Sequence, residues 1–253
     1  MEGIPKVLLI AAILAMPVSA QDYCSGDICD PGDRHIDCNN SGKFASRCPA
    51  TARIINITPQ KSLILQMVNV RRNRVATGGL SGFKKAIRMP TVQWSNDLAR
   101  LAALSAKRCS TEFDQCRNTI TFKRVAQLVF NQYSIGSINI NYREHIIKMI
   151  QTWFTKYQNA NAGRMETFTK ANPVYSAFAI LVNQRVTHIG CGTVTFKQNR
   201  RLDVITICNF ASRNMPGTAV YQAGDTASNC TTGTNPTYPG LCSIDEAVDP
   251  NAD

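Results

Sequence analysis

Residues 63–79 read LILQMVNVRRNRVATGG. Leu63, Met67 and Val70, with Ile64, Val68 and Val75, recur at i, i+3/i+4 and i+7. That period predicts a helix over residues 61–76 that stops near Gly78-Gly79. Arg71, Arg72 and Arg74 follow within four residues. Such a cluster belongs to a nucleic-acid helix, the wall of an active site, or the side of a core, and the rest of the chain decides among them.

The same period returns twice. In WSNDLARLAALSAKRC, residues 94–109, Trp94, Leu98, Leu101, Ala102 and Ser105 share a face, and Ser95 is placed to cap the helix. In REHIIKMIQTWFTKYQ, residues 143–158, Ile146, Ile147, Ile150, Trp153, Phe154 and Tyr157 line one side while Glu144, Lys148 and Lys156 are mostly off it. Glu144 near the start of this helix suits its dipole. After Lys170 the composition changes. YSAFAILV, THIGCGTVTF and LDVITICNFA are short, rich in β-branched and aromatic residues, and separated by polar turns, so they read as strands. Helices followed by antiparallel strands imply a layered α+β domain.

Residues 1–20 carry Lys6, an apolar run from Val7 to Met16, and Val18-Ser19-Ala20, which suits cleavage before Gln21. The run is too short for a membrane span, and a signal anchor is the alternative to a cleaved leader. The reading is therefore a secreted, extracellular chain with no membrane span. Residues 21–60 form a turn-rich, cysteine-rich N-terminal extension, residues 61–216 the main domain, and residues 217–253 a Gly-, Pro-, Thr- and Asn-rich tail. All ten cysteines lie beyond the leader, with no C-x2-C and no neighbouring His pair, which favours disulfides over zinc. Asn39, Asn56 and Asn229 head N-x-S/T sequons; Cys230 weakens the third.

The formal net charge is +11, with an isoelectric point near 9.3. In a secreted protein this would draw it to heparan-like glycans or anionic cell surfaces, or serve solubility alone. Nucleic acid is disfavoured, because the compartment is wrong and the basic residues are scattered rather than striped with aromatics. Three histidines, His35, His145 and His188, read as structural rather than catalytic. No G-x-S-x-G, H-E-x-x-H or P-loop motif occurs, and an even cysteine count leaves no obvious free thiol.

Several motifs occur in an order that resembles the CAP superfamily. They are V-N-x-x-R at Val68–Arg72, W-x-x-x-L-A-x-x-A from Trp94, DQCRNT at 114–119, WF at 153–154, FAILVNQRVTHIGCG at 178–192, ICNFA at 207–211, and CTTGTNPTYPGLCS at 230–243. Tyr23-Cys24, Cys29, and HI-x-C-NN-x-G-x-FA-x-x-C from His35 to Cys48 liken it to the insect antigen 5 or venom-allergen-like branch, fly type. The likeness runs from about Asp22 to Asp245. It implies a three-layer α-β-α sandwich and the pairings Cys24–Cys38, Cys29–Cys116, Cys48–Cys109 and Cys191–Cys208, with Cys230–Cys242 left as the fifth.

The family's central cavity typically holds a divalent metal on two histidines and two acidic residues. Carried onto this chain, the first histidine position is Val68 and the second is Ala177. The acidic positions are Ala126, or Gln127 under a one-residue shift, and Lys156. Aliphatic side chains offer a metal no lone pair, and a lysine repels it. No group remains at these positions for acid–base catalysis. The resemblance thus implies a non-enzymatic binding or signalling ligand of saliva, venom or seminal-fluid type. It would have no metal or other cofactor, and its partner would be an extracellular protein, a glycan or a small hydrophobe. The alternatives are a hydrolase with a displaced site using Glu166 or His188, and a carrier of lipid. Arg72 matches the family's arginine, with Arg71 and Arg74 expected as solvent charges.

Overall fold

The computed structural model of the chain describes residues 22–136, 139–169 and 173–252; the expected leader, residues 1–20, lies outside the described residues. Five strands form one sheet: β1 (Arg53–Ile55), β2 (Gln93–Trp94), β3 (Ala126–Ile135), β4 (His188–Gln198) and β5 (Arg201–Phe210). The order is β1-β4-β5-β3, antiparallel throughout, with β2 joining β4 in parallel. β4 and β5 form a hairpin in which Asn199 and Arg200 hold φ of 47° and 62°. Two successive left-handed residues are what a tight hairpin loop needs to match the strand twist.

The helices are α1 (Lys61–Ala76), α2 (Asn96–Ala106), α3 (Tyr142–Phe154), the short α4 (Ala162–Glu166) and α5 (Ser176–Val182). α2 lies on one face of the sheet; α1, α3 and α5 pack together on the other. The chain is therefore the expected α-β-α sandwich. Alternation along the strands sorts the residues between layers. Ile189 and Cys191, Cys208 and Phe210, and Ala126, Leu128 and Phe130 join the core under α1, α3 and α5, whereas Val194, Phe196, Ile205 and Ile207 meet Ala102 and Ala106 of α2. α2 can lie this close because β4 carries Gly190 and Gly192. A Cβ at Gly190 would stand 2.2 Å from the Ala99 nitrogen, and one at Gly192 2.4 Å from that of Ala103.

Local chemistry accounts for the helix ends. The Ser95 hydroxyl accepts from the Leu98 N–H, and the Asn141 side chain accepts from the N–H groups of Arg143 and Glu144 while its Nδ2 donates to the Glu144 carboxylate. Gly78, at φ 78°, closes α1 as its N–H and that of Gly79 return to the carbonyls of Val75 and Arg74.

Two elements differ from the sequence reading. YSAFAILV is not a strand: Ser176–Val182 is helical. Phe178 to Val182 are all buried, so the run carries no periodicity that could separate a buried helix from a buried strand. Residues 126–135, to which the sequence reading assigns no element, form β3, an edge strand whose outer half is polar enough to blur its alternation. The N-terminal extension is also more than a cover, because β1 within it pairs with β4.

All ten cysteines are joined, as Cys24–Cys38, Cys29–Cys116, Cys48–Cys109, Cys191–Cys208 and Cys230–Cys242. Cys191 and Cys208 are directly opposed partners on β4 and β5.

The arginines of the opening helix separate by one residue. Arg72 is fully buried, its guanidinium donating to the carbonyls of Leu181, Asn183 and Pro90 at 2.8–3.0 Å. Burial pushes its pKa down to about 9, so it stays charged at neutral pH and clamps the C-terminal end of α5 to α1. Arg71 is not the solvent charge expected: it is half-buried, donates to the Met67 carbonyl and lies over the Phe154 ring at 5.6 Å. Arg74 is exposed and donates to the Gly79 carbonyl.

Candidate functional site

The four positions carried over from the family come from four elements. Val68 lies on the buried face of α1 and Ala126 at the start of β3; both belong to the main core cluster. Ala177, on the first turn of α5, packs half-buried against that cluster. Lys156 follows α3 in a 3-10 turn and is half-buried. Its neighbour Tyr157 packs with Phe83, Phe154 and Phe178, its ring centroid 5.5–6.3 Å from theirs. Apolar packing therefore surrounds Val68, Ala126 and Ala177.

Gln127 does not join them. One residue along a strand reverses the side chain, so Gln127 points to the α2 side of the sheet. There its Nε2 donates to Asp114 at 2.8 Å and to the Asn209 Oδ1 at 3.0 Å, and its Oε1 accepts from the Asp114 N–H. Gln127 therefore faces the opposite side of the sheet from Ala126.

His35 and His145 are each held by contacts within the chain, whereas His188 lines a cleft. His35 stacks on Tyr23 at 4.4 Å, with Nε2 2.8 Å from the Asn118 carbonyl. His145, buried on α3, bonds Gln132 through Nδ1 and Thr206 through Nε2, and Thr206 continues to Thr193. Burial, with repulsion from Lys148 adding to it, pushes its pKa down to about 4, so the ring is neutral at physiological pH. His188 lines a cleft of about 520 Å³ with Trp94, Phe122, Asp97 and Asp245, and burial lowers its pKa also. Glu166 is exposed and paired with Lys84 at 2.5 Å. Among the described residues no group of three or more His, Cys, Asp or Glu side chains is arranged to hold a metal ion. The aliphatic and lysine set at the carried-over positions does not fit one either.

A second cleft of about 520 Å³ opens where the N-terminal extension meets the end of α2, with Arg34, Lys43, Lys107 and Arg108 in its wall. The sequence offered little signal for it. The four cations sit in two segments more than sixty residues apart, brought together by Cys29–Cys116 and Cys48–Cys109.

A further structural group missed in the sequence is Glu246. Its buried carboxylate accepts from the backbone N–H and hydroxyl groups of Thr231 and Thr232 and pairs with Arg88 at 2.6 Å. Burial raises its pKa, but these hydrogen bonds outweigh it and hold the group at about 2.

Residues 65–210 match the family model described as "Cysteine-rich secretory protein family" (CAP). Venom allergen-1 of Aedes aegypti is 31% identical over 96% of this chain and 95% of its own length. The antigen 5-like allergen Cul n 1 of Culicoides nubeculosus is 35% identical over 72% of this chain and 87% of its own. Among solved structures, NaASP2 determined with Zn2+ superposes with a TM-score of 0.61 at 20% identity, covering 78% of this chain and all of that one. That is a likeness of fold. Taken with the sandwich and its sequence motifs, these matches establish that the chain belongs to the CAP family of cysteine-rich secretory proteins, with venom-allergen and antigen 5-like insect relatives.

Proposed function

We propose that this is a secreted, non-enzymatic CAP protein that acts by binding an extracellular partner. Residues 1–20 would be removed as a signal peptide, leaving the N-terminal extension, the CAP domain and the stapled tail. The observation that carries the reading is the set at the positions matched to the family's metal ligands: Val68 and Ala126 in the apolar core, Ala177 packed on it, and Lys156 in the half-buried 3-10 turn after α3. Three lack a donor atom and the fourth carries the wrong charge for a cation, so metal-assisted chemistry has no group to use there. Ten oxidised cysteines support an oxidising compartment. Asn39, Asn56 and Asn229 are all exposed, as glycan acceptors must be.

Zinc titration of the purified mature chain by calorimetry, with metal analysis after dialysis, tests the reading. The expected result is no stoichiometric site. A one-to-one zinc complex that is lost when residues around Val68 and Ala177 are changed would overturn it.

A further inference from the structure

The cleft between the N-terminal extension and the end of α2 carries an electrostatic feature that net charge alone does not supply. Its wall holds four cations, Arg34, Lys43, Lys107 and Arg108, against one carboxylate, Asp114. Asp114 is buried and already compensated by Arg117, with Gln127 on its second oxygen. Two of the cations are tethered to neutral oxygens. The Lys107 ammonium donates to the Gly42 carbonyl at 2.6 Å, across the cleft rather than to its own helix end, and Arg34 donates to the Cys38 carbonyl at 3.2 Å. A carbonyl fixes the position of a cation without cancelling its charge. Arg108 bonds the Glu112 carbonyl at 3.3 Å, and the exposed Glu112 carboxylate stands 3.9 Å from it and 3.6 Å from Arg47.

Rigidity comes from the two disulfides that bridge the cleft's walls. Preorganised charges lose little entropy when an anion enters. Phe44 and Phe113 also line the cleft and are 38% and 61% exposed. Such a ring can stack on the C–H face of a sugar.

We infer that this cleft binds a sulfated polysaccharide: sulfates on the four cations, a sugar ring on Phe113 or Phe44. This deepens the proposed role as an extracellular binding protein by naming the partner's chemistry. A concave wall suits a chain-like polyanion that can be drawn in, whereas an anionic bilayer needs its cations on a flat or convex face.

The experiment measures binding of the full mature chain to immobilised heparin over a NaCl series at neutral pH. Lys43→Glu with Arg108→Glu should weaken binding about tenfold or more near physiological salt and flatten the salt dependence. Lys85→Glu with Lys148→Glu imposes the same change in net charge outside the cleft and should change little. Glu112→Gln, which removes the competing carboxylate, should tighten binding about twofold. Asn39 borders the cleft, so Ser41→Ala, which removes its sequon and spares the φ of 52° at Asn39, should bind at least as well. Lys43 is exposed and its single substitution guards against a folding artefact.

Equal losses in the two double variants would overturn the inference in favour of net charge, and undiminished binding to desulfated heparin would overturn it outright. So would attachment to phosphatidylserine vesicles in place of heparin. A failure here leaves the zinc titration untouched, and a zinc site would leave heparin binding untouched, so the two readings fail separately.

Discussion

The N-terminal extension and the C-terminal tail are both loop-rich and cysteine-bearing, yet they are joined to the sandwich by different physics. The extension is held covalently, through Cys29–Cys116 and Cys48–Cys109, which close 87 and 61 residues. The tail has one local bridge, Cys230–Cys242, spanning 12 residues. Its attachment to the body is polar and apolar instead. Tyr221 and Leu241 enter the main core, the Gly240 N–H donates to Asn73, Thr91 donates to the Cys242 carbonyl, and Glu246 binds Arg88 and the Thr231–Thr232 amides. The long-range attachment of the extension is therefore sensitive to reduction, whereas that of the tail is sensitive to pH through Glu246.

The strongest way to break the comparison is to remove a long-range bridge. Cys29→Ser with Cys116→Ser should cost about 4–5 kcal/mol by the chain-entropy account, against about 3 kcal/mol for Cys230→Ser with Cys242→Ser. Urea denaturation midpoints measure both, and equal costs would show that loop length is not what matters.

Glu246→Gln should come next, at about 3–5 kcal/mol, because it leaves Arg88 and two threonine amides facing a neutral group in a buried place. The sign of the pH effect follows from a carboxyl lowered from 4.5 to about 2. Its stabilisation is complete above 4.5 and is lost as pH falls from there towards 2. The protection factors of the Thr231 and Thr232 amides, corrected for the intrinsic exchange rate at each pH, should fall over that window in the native chain and be low throughout in the variant.

His145, buried on α3, sets a separate acid response. Its pKa falls from 6.5 to about 4, so the unfolded chain binds the proton first. Stability is full above 6.5 and declines as pH falls towards 4, by about 3 kcal/mol. Replacing His145 with Gln should flatten the stability profile between those limits while leaving the Glu246 window in place. Persistence of the slope would show that another group titrates there.

The smallest effect belongs to Lys84–Glu166, a 2.5 Å ion pair that is exposed on both sides. Lys84→Ala should change stability by less than about 0.5 kcal/mol, despite a shorter distance than the Arg88–Glu246 pair. A larger loss would mean that separation, not burial, ranks the ion pairs of this chain.

Legibility in the sequence followed how local each signal was. α2 and α3 were readable because each leaves one flank in solvent, so the period of burial is written into the residues; α1 follows its apolar residues less closely, since Val70 of the expected face is exposed while Asn69 and Arg72 are buried. β4 and β5 were readable from their β-branched content and the polar turn between them. α5 and β3 were not: Ser176–Val182 is buried on nearly every side and loses its period, while β3 frays into polar residues along an edge. The disulfide pairing was reachable only through the family resemblance, since spacing leaves many pairings open. At the candidate site, Val68 and Ala177 were located by motif, but the choice between Ala126 and Gln127 was not.

What the residues alone settled is therefore the class of the chain: a layered α+β domain rich in cysteines. Which arginine is buried, which of Ala126 and Gln127 faces the core, and which cations share a cleft depended on the folded chain. The physical reason is range. Periodicity records a neighbour three or four positions away, whereas strand register decides which face a residue takes, and disulfides closing sixty residues or more decide which charges meet.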